Sequence, residues 1–401
     1  MTATILILGG YGVFGGRLAA RLLRETSHEI VVAGRTMPKA QVFCKEYGGT
    51  PLQVDRDDTD AMTAAFASIR PDIVVDASGP FEFDGTAHSH RVVESALHAG
   101  AHYFDLADNA DFVANVSMMD AQAHSVGKAV LSGVSSVPCL SSAAVDALVE
   151  GLADVESIDM AIIPGNRAPR GRAVIESILS QAGKPFAQYE DGDWQARRCW
   201  SSLRTATLEL PGCAPIKNRL ISPIEVPDQR LFPKQYQAQS VLFFAGLELR
   251  TLHLGLWAAT ALVHLKLLRS LRRLTSIAHT VATWFEGFGS DRGGMYVEVK
   301  GTQTNGEIVK RRWTLIAEEG DGPQVPATPA RALIDMLLSG EVCAGARPAI
   351  GVIPLAGIEK HFAAFAIKTG IEEVPLQLAD DHAARGVSGT KRANDAGIAA
   401  V

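Results

Sequence analysis

Residues 4–16 read TILILGGYGVFGG, in which a strand-like segment runs into a stretch rich in glycine. Residues 10–15 match the pattern G-x-G-x-x-G, and apolar side chains at helical spacing follow them. A glycine-rich turn lets the backbone approach a pyrophosphate, and the next helix offers free N–H groups and a partial positive charge. The pattern therefore predicts a dinucleotide-binding turn formed by Gly9, Gly10, Tyr11, Gly12, Val13, Phe14 and Gly15. A glycine turn without a ligand is the alternative.

The alternation of strand and helix continues well beyond this turn. Apolar segments near residues 5, 30, 53, 74, 104 and 130 are separated by stretches of helix length. Continuous apolar strands joined by helices are typical of a parallel sheet covered on both faces. Six such strands suit a doubly wound Rossmann domain, which we place at residues 1–154. The chain is thus predicted to be of the α/β class.

A different pattern begins near residue 155. Alternating and turn-punctuated segments predict a second, α+β domain at residues 155–345, built on a mainly antiparallel sheet. Asn305-Gly306 stands between two strand-like segments and predicts a hairpin. Residues 251–285 predict one long helix, of which 252–268 is expected to be mostly buried, in a core or an interface. A membrane-surface helix is the alternative.

The end of the second predicted strand bears on the choice of cofactor. Residues 33–36 read AGRT, and no Asp or Glu stands between Glu29 and Glu46. NAD-binding proteins place a carboxylate about 20 residues beyond the glycines, where it accepts from the ribose. Here Arg35 stands there, and a guanidinium suits a 2′-phosphate. With Gly34 leaving space and Thr36 donating, we predict NADP(H); a surface arginine is the alternative.

Other cofactor contacts follow from the strand order. Asp55 follows the third strand and is a candidate acceptor for the adenine amino group, with an ordinary loop carboxylate as the alternative. Small residues after the fourth strand would let a ribose and nicotinamide lie against the backbone, unless they form a plain turn. These residues are Ala77, Ser78, Gly79 and Pro80.

The proton donor for hydride transfer should lie at the carboxyl ends of the strands. Tyr103, Asp105 and Asp108 are the candidates there, with His88 and His90 less favoured. In the second domain, the segment GNRAPRGRAVIES carries an arginine cluster before a helix, and we name Arg170 as a candidate for holding a substrate anion. A solvated loop is the alternative reading of this cluster.

Composition and missing motifs exclude several classes. The chain has 401 residues and a formal charge of −6 without a long basic run, so we expect no nucleic-acid partner. The five scattered cysteines form no C-x-x-C pair, which indicates a reducing, cytoplasmic location and no metal site. H-E-x-x-H, P-loop and G-x-S-x-G motifs are absent. We also expect no peripheral contact with a membrane.

With these segments placed, the chain resembles the saccharopine dehydrogenase-like oxidoreductases. The resemblance rests on GGYGVFGG, VVAGRT, IVVDASGPF with Gly85, HYFDLAD and SSVPCLSSAAVDAL, all within about the first 150 residues. It implies an NADP-binding Rossmann domain, a substrate and dimerisation domain after it, and a return of residues 346–378 to the first domain. We expect a homodimer, and a mobile tail at 379–401.

Members of this group carry out different reactions. Some form or cleave secondary amines from an amino acid and a keto acid, whereas others are similar to trans-acting enoyl reductases, which show a DLTGE-like segment. Residues 105–109 here read DLADN, and the remainder resembles the less characterised bacterial-type branch. The resemblance therefore implies hydride transfer to a C=N, C=C or C=O bond of a small or lipid-like metabolite. A sensor or scaffold that binds NADP without turnover is the alternative.

Overall fold

The computed structural model describes residues 2–168 and 172–374. The first sheet contains β1 (Thr4–Leu8), β2 (Glu29–Gly34), β3 (Thr50–Gln53), β4 (Ile73–Asp76), β5 (His102–Asp105) and β6 (Ala129–Ser132). Its helices are α1 (Val13–Glu25), α2 (Met37–Tyr47), α3 (Thr59–Ile69), α4 (Arg91–His98), α5 (Ala110–Asn115), α6 (Asp120–Ser125) and α7 (Ser141–Leu148). All of these strands run parallel in the order β6-β5-β4-β1-β2-β3. The order reverses between β1 and β4, which is where a doubly wound sheet opens a binding crevice.

The second part begins with β7 (Leu152–Ile163), α8 (Arg172–Gln181), β8 (Pro185–Glu190), β9 (Asp193–Arg198), β10 (Arg204–Leu208) and β11 (Ile216–Pro223). It continues with α9 (Pro227–Tyr236), β12 (Ser240–Gly246), α10 (Arg250–His264), α11 (Thr275–Trp284), β13 (Gly293–Gln303) and β14 (Ile308–Ala317). Only β12 and β7 pair in parallel in the second sheet; the other described pairs are antiparallel. The predicted fold class is therefore confirmed.

The β13–β14 hairpin shows how local sequence sets this sheet. Gly306 has φ of +86°, a conformation that glycine adopts without strain, and Glu307 donates its N–H to the Asn305 side chain at 2.9 Å. The turn fixes the register, which places Trp313 opposite Val297. Both side chains are fully buried in the core shared by the two sheets.

The last described segment divides between the two sheets. After α12 (Thr328–Leu338), β15 (Gly345–Pro348) pairs in parallel with β6 and extends the first sheet. After α13 (Leu355–Glu359), β16 (Ile367–Glu373) pairs with β14 in the second sheet. The expectation that all of residues 346–378 return to the first domain is too broad, because β16 completes the antiparallel sheet. The predicted tail at 379–401 lies outside the described residues.

The prediction of one helix at 251–285 is wrong, and residues 252–268 are not mostly buried within this chain. α10 ends at His264, Lys266 takes a left-handed φ of +58°, and a short 3₁₀ turn (Leu271–Leu274) precedes α11. Along α10 only His253 and Thr260 are buried. The apolar composition suggested burial on all sides, whereas one face of the helix has no protein against it in the described structure. Among the described residues, no helix is long and apolar enough to cross a membrane.

Candidate functional site

The glycine turn is closed by backbone contacts that leave no room for side chains. Gly9 has φ of +72°, and the Gly12 N–H donates to its carbonyl at 2.8 Å. A Cβ on Gly15 would lie 2.4 Å from the Gly9 carbonyl oxygen, and a Cβ on Gly9 would lie 2.6 Å from that of Ala77. These separations are too short for a side chain, so glycine is required for the turn itself and for its contact with the segment after β4.

The turn delivers the N-terminus of α1 without a side-chain cap. Gly12 is the N-cap residue, is exposed, and has no side chain to accept from the helix. The first N–H groups of a helix have no partner within it, and here the helix also has no acidic residue in its first turn. Val13 and Phe14 head the helix and are half-buried. Such a terminus provides backbone donors and a partial positive charge for a diphosphate.

Tyr11 joins the glycine turn to the end of β2. Its hydroxyl accepts a hydrogen bond from the Thr36 N–H at 3.0 Å. A Cβ on Gly34 would lie 2.5 Å from that hydroxyl oxygen, so the tyrosine fills the space beside the glycine. The expectation that Gly34 leaves space for a phosphate is thus wrong, because the glycine accommodates Tyr11. The same contact places the β2–α2 turn, which carries Arg35, beside the glycine turn.

Arg35 is available to a ligand at this turn. The residue is exposed, and its guanidinium has no ion-pair partner in the part of the chain that the structure describes. Its carbonyl accepts from the Gln53 side chain at 3.2 Å, which ties the turn to β3. Thr36 is also exposed. The structure therefore presents a positive charge and a hydroxyl where the sequence analysis expected them.

The segment after β4 lies against the glycine turn and is held by a buried carboxylate. The Ala77 N–H donates to the Leu8 carbonyl at 2.9 Å, so the ends of β4 and β1 are adjacent. Asp76 accepts from the Ser78 N–H at 2.9 Å and from its hydroxyl at 2.5 Å. Gly79 is half-buried and Pro80 is exposed. This arrangement fixes a small-residue segment at the crevice, as a nicotinamide site needs, although its binding role stays a prediction.

Arg56 is a residue that the sequence analysis missed. Its side chain is 12% exposed, its Nη2 atom lies 3.4 Å from Asp76 Oδ2, and its guanidinium stacks at 5.0 Å from the centroid of the Phe81 ring. The arginine therefore braces both ends of the segment after β4. In sequence it stands between acidic residues in DRDD, which is typical of a surface charge. Only the fold brings it to Asp76.

Tyr103 and Asp105 form a buried network below the crevice. The Tyr103 hydroxyl donates to Asp105 Oδ2 at 3.1 Å, and Ser132 and the Gly133 N–H donate to Oδ1 at 2.9 and 2.8 Å. Burial raises the pKa of Asp105 to about 6, against the lowering effect of its hydrogen bonds. Because both side chains are fully buried, their geometry favours holding the strand ends together. Their catalytic roles stay predictions.

Asp108 stands apart from that network. It follows β5 by three residues, is exposed, and has no ion-pair partner among the described residues. Asn109 caps α5 beside it, accepting from the Phe112 N–H at 2.9 Å. His90 packs on the Phe112 ring at 4.4 Å, and burial lowers its pKa to about 4. Asp108 is therefore the sequence-predicted proton donor that the structure leaves accessible at a strand end.

The candidates Asp55 and Arg170 have different outcomes. Asp55 is half-buried and accepts from the Asp57 N–H at 3.1 Å, so it closes the turn after β3. A contact with adenine stays a prediction. Arg170 lies outside the described residues.

Two loops of the second part meet around one carboxylate, which we call the Glu248 clamp. Glu248 accepts from the Asn166 N–H at 2.6 Å, from the Ser290 N–H at 2.9 Å, and from Arg219 at 2.8 Å. The Arg167 N–H also donates to the Ser290 carbonyl at 2.9 Å. Burial favours a higher pKa for Glu248, but the hydrogen bonds prevail and lower it. The sequence analysis singled out the segment that contains Asn166 but did not indicate Glu248.

Comparison with known families finds a match for the region that contains the glycine turn. The family described as saccharopine dehydrogenase NADP binding domain matches residues 5–135. These residues are therefore similar to the NADP-binding domain of saccharopine dehydrogenases. The match covers about a third of the chain and includes the glycine turn, Arg35 and the ends of β4 and β5. The match agrees with the predicted resemblance and with the prediction of an NADP-binding domain.

Solved structures extend the comparison to the whole chain. Apo saccharopine dehydrogenase (L-Glu forming) from Saccharomyces cerevisiae matches with a TM-score of 0.65 and 14% identity, over 93% of this chain and 100% of the yeast chain. Biliverdin reductase from Synechocystis sp. PCC 6803, solved with biliverdin and NADP+, matches with a TM-score of 0.39 and 14% identity, over 89% and 96%. At such identities the yeast structure establishes the fold and not the activity. A search of curated proteins found no match.

Proposed function

We propose that the protein is an NADP(H)-dependent oxidoreductase that reduces a C=N, C=C or C=O bond of a small or lipid-like metabolite. The observation that carries this proposal is that an α1 N-terminus without a side-chain cap lies beside an exposed Arg35, which has no ion-pair partner among the described residues. One feature suits a diphosphate and the other a 2′-phosphate. Together they match NADP(H) better than NAD(H).

The residues that would hold the cofactor lie along the carboxyl edge of the first sheet. Val13 and Phe14 would donate backbone N–H groups to the diphosphate, and Arg35 and Thr36 would hold the 2′-phosphate. The segment Ala77–Pro80 would support the nicotinamide side, since it lies next to the glycine turn. When bound, NADPH supplies the hydride. The protein supplies binding and orientation, as well as a group that handles the proton.

Asp108 is the residue that we assign to proton handling. β4 and β5 pair with Asp76 opposite Asp105, so the segments that follow these residues leave the sheet side by side. Asp108 is therefore near the segment proposed for the nicotinamide. The residue as a whole is exposed, while burial of its carboxyl group raises the pKa of Asp108. Tyr103 and Asp105 lack such access. Arg170 remains the sequence-based candidate for a substrate anion.

A non-catalytic NADP-binding sensor or scaffold is the second candidate function. The burial of Tyr103 and Asp105 favours it, because two of the predicted proton donors are bonded to the protein itself. A cytoplasmic location and a homodimeric state are compatible with both functions, and both remain proposals.

The proposal is tested by hydride transfer. The full chain is incubated with NADPH and a panel of imines, keto acids and enoyl thioesters, and NADPH absorbance is followed. Oxidation that depends on one compound class is expected, and Asp108→Asn should slow it by roughly 10²–10⁴-fold without changing NADPH affinity. Asp60→Asn, at an exposed carboxylate of α3, is the matched control. NADPH binding without oxidation of any compound would favour the sensor, and parental rates for Asp108→Asn would refute its assignment.

A further inference from the structure

The surface of α10, α11 and their connection is apolar although it faces solvent. We call residues 250–288 the α10–α11 surface. Eight of the 17 exposed large hydrophobic side chains in the described structure lie on it. They are Leu254, Trp257, Leu262, Leu265, Leu267, Ile277, Trp284 and Phe288. Apolar residues scattered singly need no explanation, but this concentration indicates a contact surface.

The exposed residues of α10 follow helical periodicity. Six exposed residues of α10 and its C-cap recur at steps of one helical turn. They are Leu254, Trp257, Ala258, Ala261, Leu262 and Leu265. A second stripe faces inward, where Leu256 and Val263 pack on the cluster around Trp200 and Leu271. A helix that is apolar on both faces is normally covered on both. Here the outer stripe is the uncovered one.

Basic residues outnumber acidic ones on this surface, where Glu286 is the single acidic residue. No Asp or Glu stands between Glu248 and Glu286, whereas Arg250, Lys266, Arg269, Arg272 and Arg273 do, in a chain of net charge −6. Exposed apolar and aromatic residues with basic neighbours are typical of helices that lie on anionic lipid. A symmetric contact with a second copy would bring basic patches together, which like-charge repulsion disfavours.

Several basic residues converge on a depression at the foot of α11. It is lined by Glu176, Lys184, Ser270, Arg272, Arg273, Thr275 and Ser276. Glu176 pairs with Arg272 at 2.7 Å, while Lys184 and Arg273 have no ion-pair partner in the described chain. Cations and hydroxyl groups in one depression suit a phosphate-bearing headgroup. The depression includes the first two residues of α11, Thr275 and Ser276, which are followed by the exposed Ile277.

We propose that the α10–α11 surface docks on an anionic lipid bilayer, with Leu265, Trp284 and Phe288 entering the interface and the basic residues contacting headgroups. The expectation of no membrane contact rested on burial of residues 252–268, which the structure does not show. The proposal concerns where the protein works and is independent of the reaction that we propose.

Vesicle binding tests the proposal. The full chain is sedimented with vesicles of phosphatidylcholine alone and with vesicles that also contain phosphatidylserine. Binding is expected to the anionic vesicles only and to weaken with salt. Leu265→Asp with Trp284→Asp, and separately Lys266→Glu with Arg269→Glu, should each reduce the bound fraction at least about tenfold. Val42→Asp and the pair Lys45→Glu with Lys217→Glu alter exposed residues elsewhere and should bind like the parent.

Circular dichroism and NADPH affinity establish that each variant is folded. Absence of parental binding to anionic vesicles at low salt would overturn the proposal, as would equal losses in the control variants. A parental dimer that Leu265→Asp dissociates, without any vesicle binding, would assign the surface to a second copy and would also overturn it.

Discussion

The glycine turn and the Glu248 clamp both fix loops, but they do so by different means. The turn itself is closed by contacts between backbone atoms of Gly9, Gly12 and Gly15, which are close in sequence, and it needs glycine because side chains do not fit. The clamp uses one carboxylate whose partners at Asn166 and Ser290 lie 82 and 42 residues away. A structure made by neighbouring backbone leaves a spacing in the sequence. A structure made by one distant side chain leaves none.

The largest effect is expected from a substitution in the glycine turn. Gly15→Ala places a Cβ 2.4 Å from the Gly9 carbonyl, so the turn must shift and the α1 donors move with it. Two hydrogen bonds to phosphate at roughly 1.5–3 kcal/mol each predict a loss of NADPH affinity of about 100-fold or more. Calorimetric titration measures it. Gly255→Ala in α10, where a Cβ meets no atom within 4 Å, is the matched control and should bind NADPH normally.

A substitution in the Glu248 clamp should lower the stability of the protein and leave cofactor binding unchanged. Glu248→Ala removes the carboxylate that accepts from Arg219 Nη2 and from two backbone N–H groups, which should lower the free energy of unfolding by about 3–5 kcal/mol. Glu248→Gln keeps the shape and should lose less. Denaturant unfolding and NADPH titration separate the two effects. Weakened NADPH binding in a folded Glu248→Gln protein would show that the two regions are coupled.

A third prediction concerns the buried network next to the turn. Because burial raises the pKa of Asp105 to about 6, the folded protein holds this proton more tightly than the unfolded chain does. The contribution of Asp105 to stability is therefore lost as pH rises from about 4 to about 6. Asp105→Asn should gain about 2 kcal/mol relative to the parent between pH 4 and 7, as followed by denaturant unfolding.

Asp84 provides the control for this pH dependence. Hydrogen bonds from Ser89 and Thr86 lower its pKa to about 2, so its contribution changes between pH 2 and 4. Asp84→Asn should therefore differ from the parent by a constant amount between pH 4 and 7. A flat difference for Asp105→Asn over that interval would mean that this carboxyl group is not raised in the folded state.

Features whose contacts are local in sequence could be predicted, whereas features that depend on distant side chains could not. The strands of the first sheet, the hairpin at Asn305-Gly306 and the glycine turn came from local patterns, since their causes lie within a few residues. The role of Gly34 was misread because Tyr11, which fills the space beside it, comes from another segment. Arg56 was missed because its partner Asp76 is brought to it by the fold.

The prediction of burial for the α10–α11 surface was wrong for a different reason. Apolar periodicity indicates which residues share a helical face. It does not say whether protein, lipid or water covers that face, because all apolar surroundings select the same residue types. The error over burial at 252–268 is therefore an error about surroundings and not about secondary structure.

The choice between cofactors tests the account most directly. NADPH and NADH are titrated into the parent, Arg35→Ala and the control Arg24→Ala, which removes an exposed arginine at the far end of α1. A charge-assisted contact worth roughly 1.5–3 kcal/mol predicts that Arg35→Ala weakens NADPH about ten- to a hundredfold, with NADH almost unchanged and Arg24→Ala like the parent. Equal binding of both cofactors by the parent, or equal losses for both in Arg35→Ala, would contradict the account.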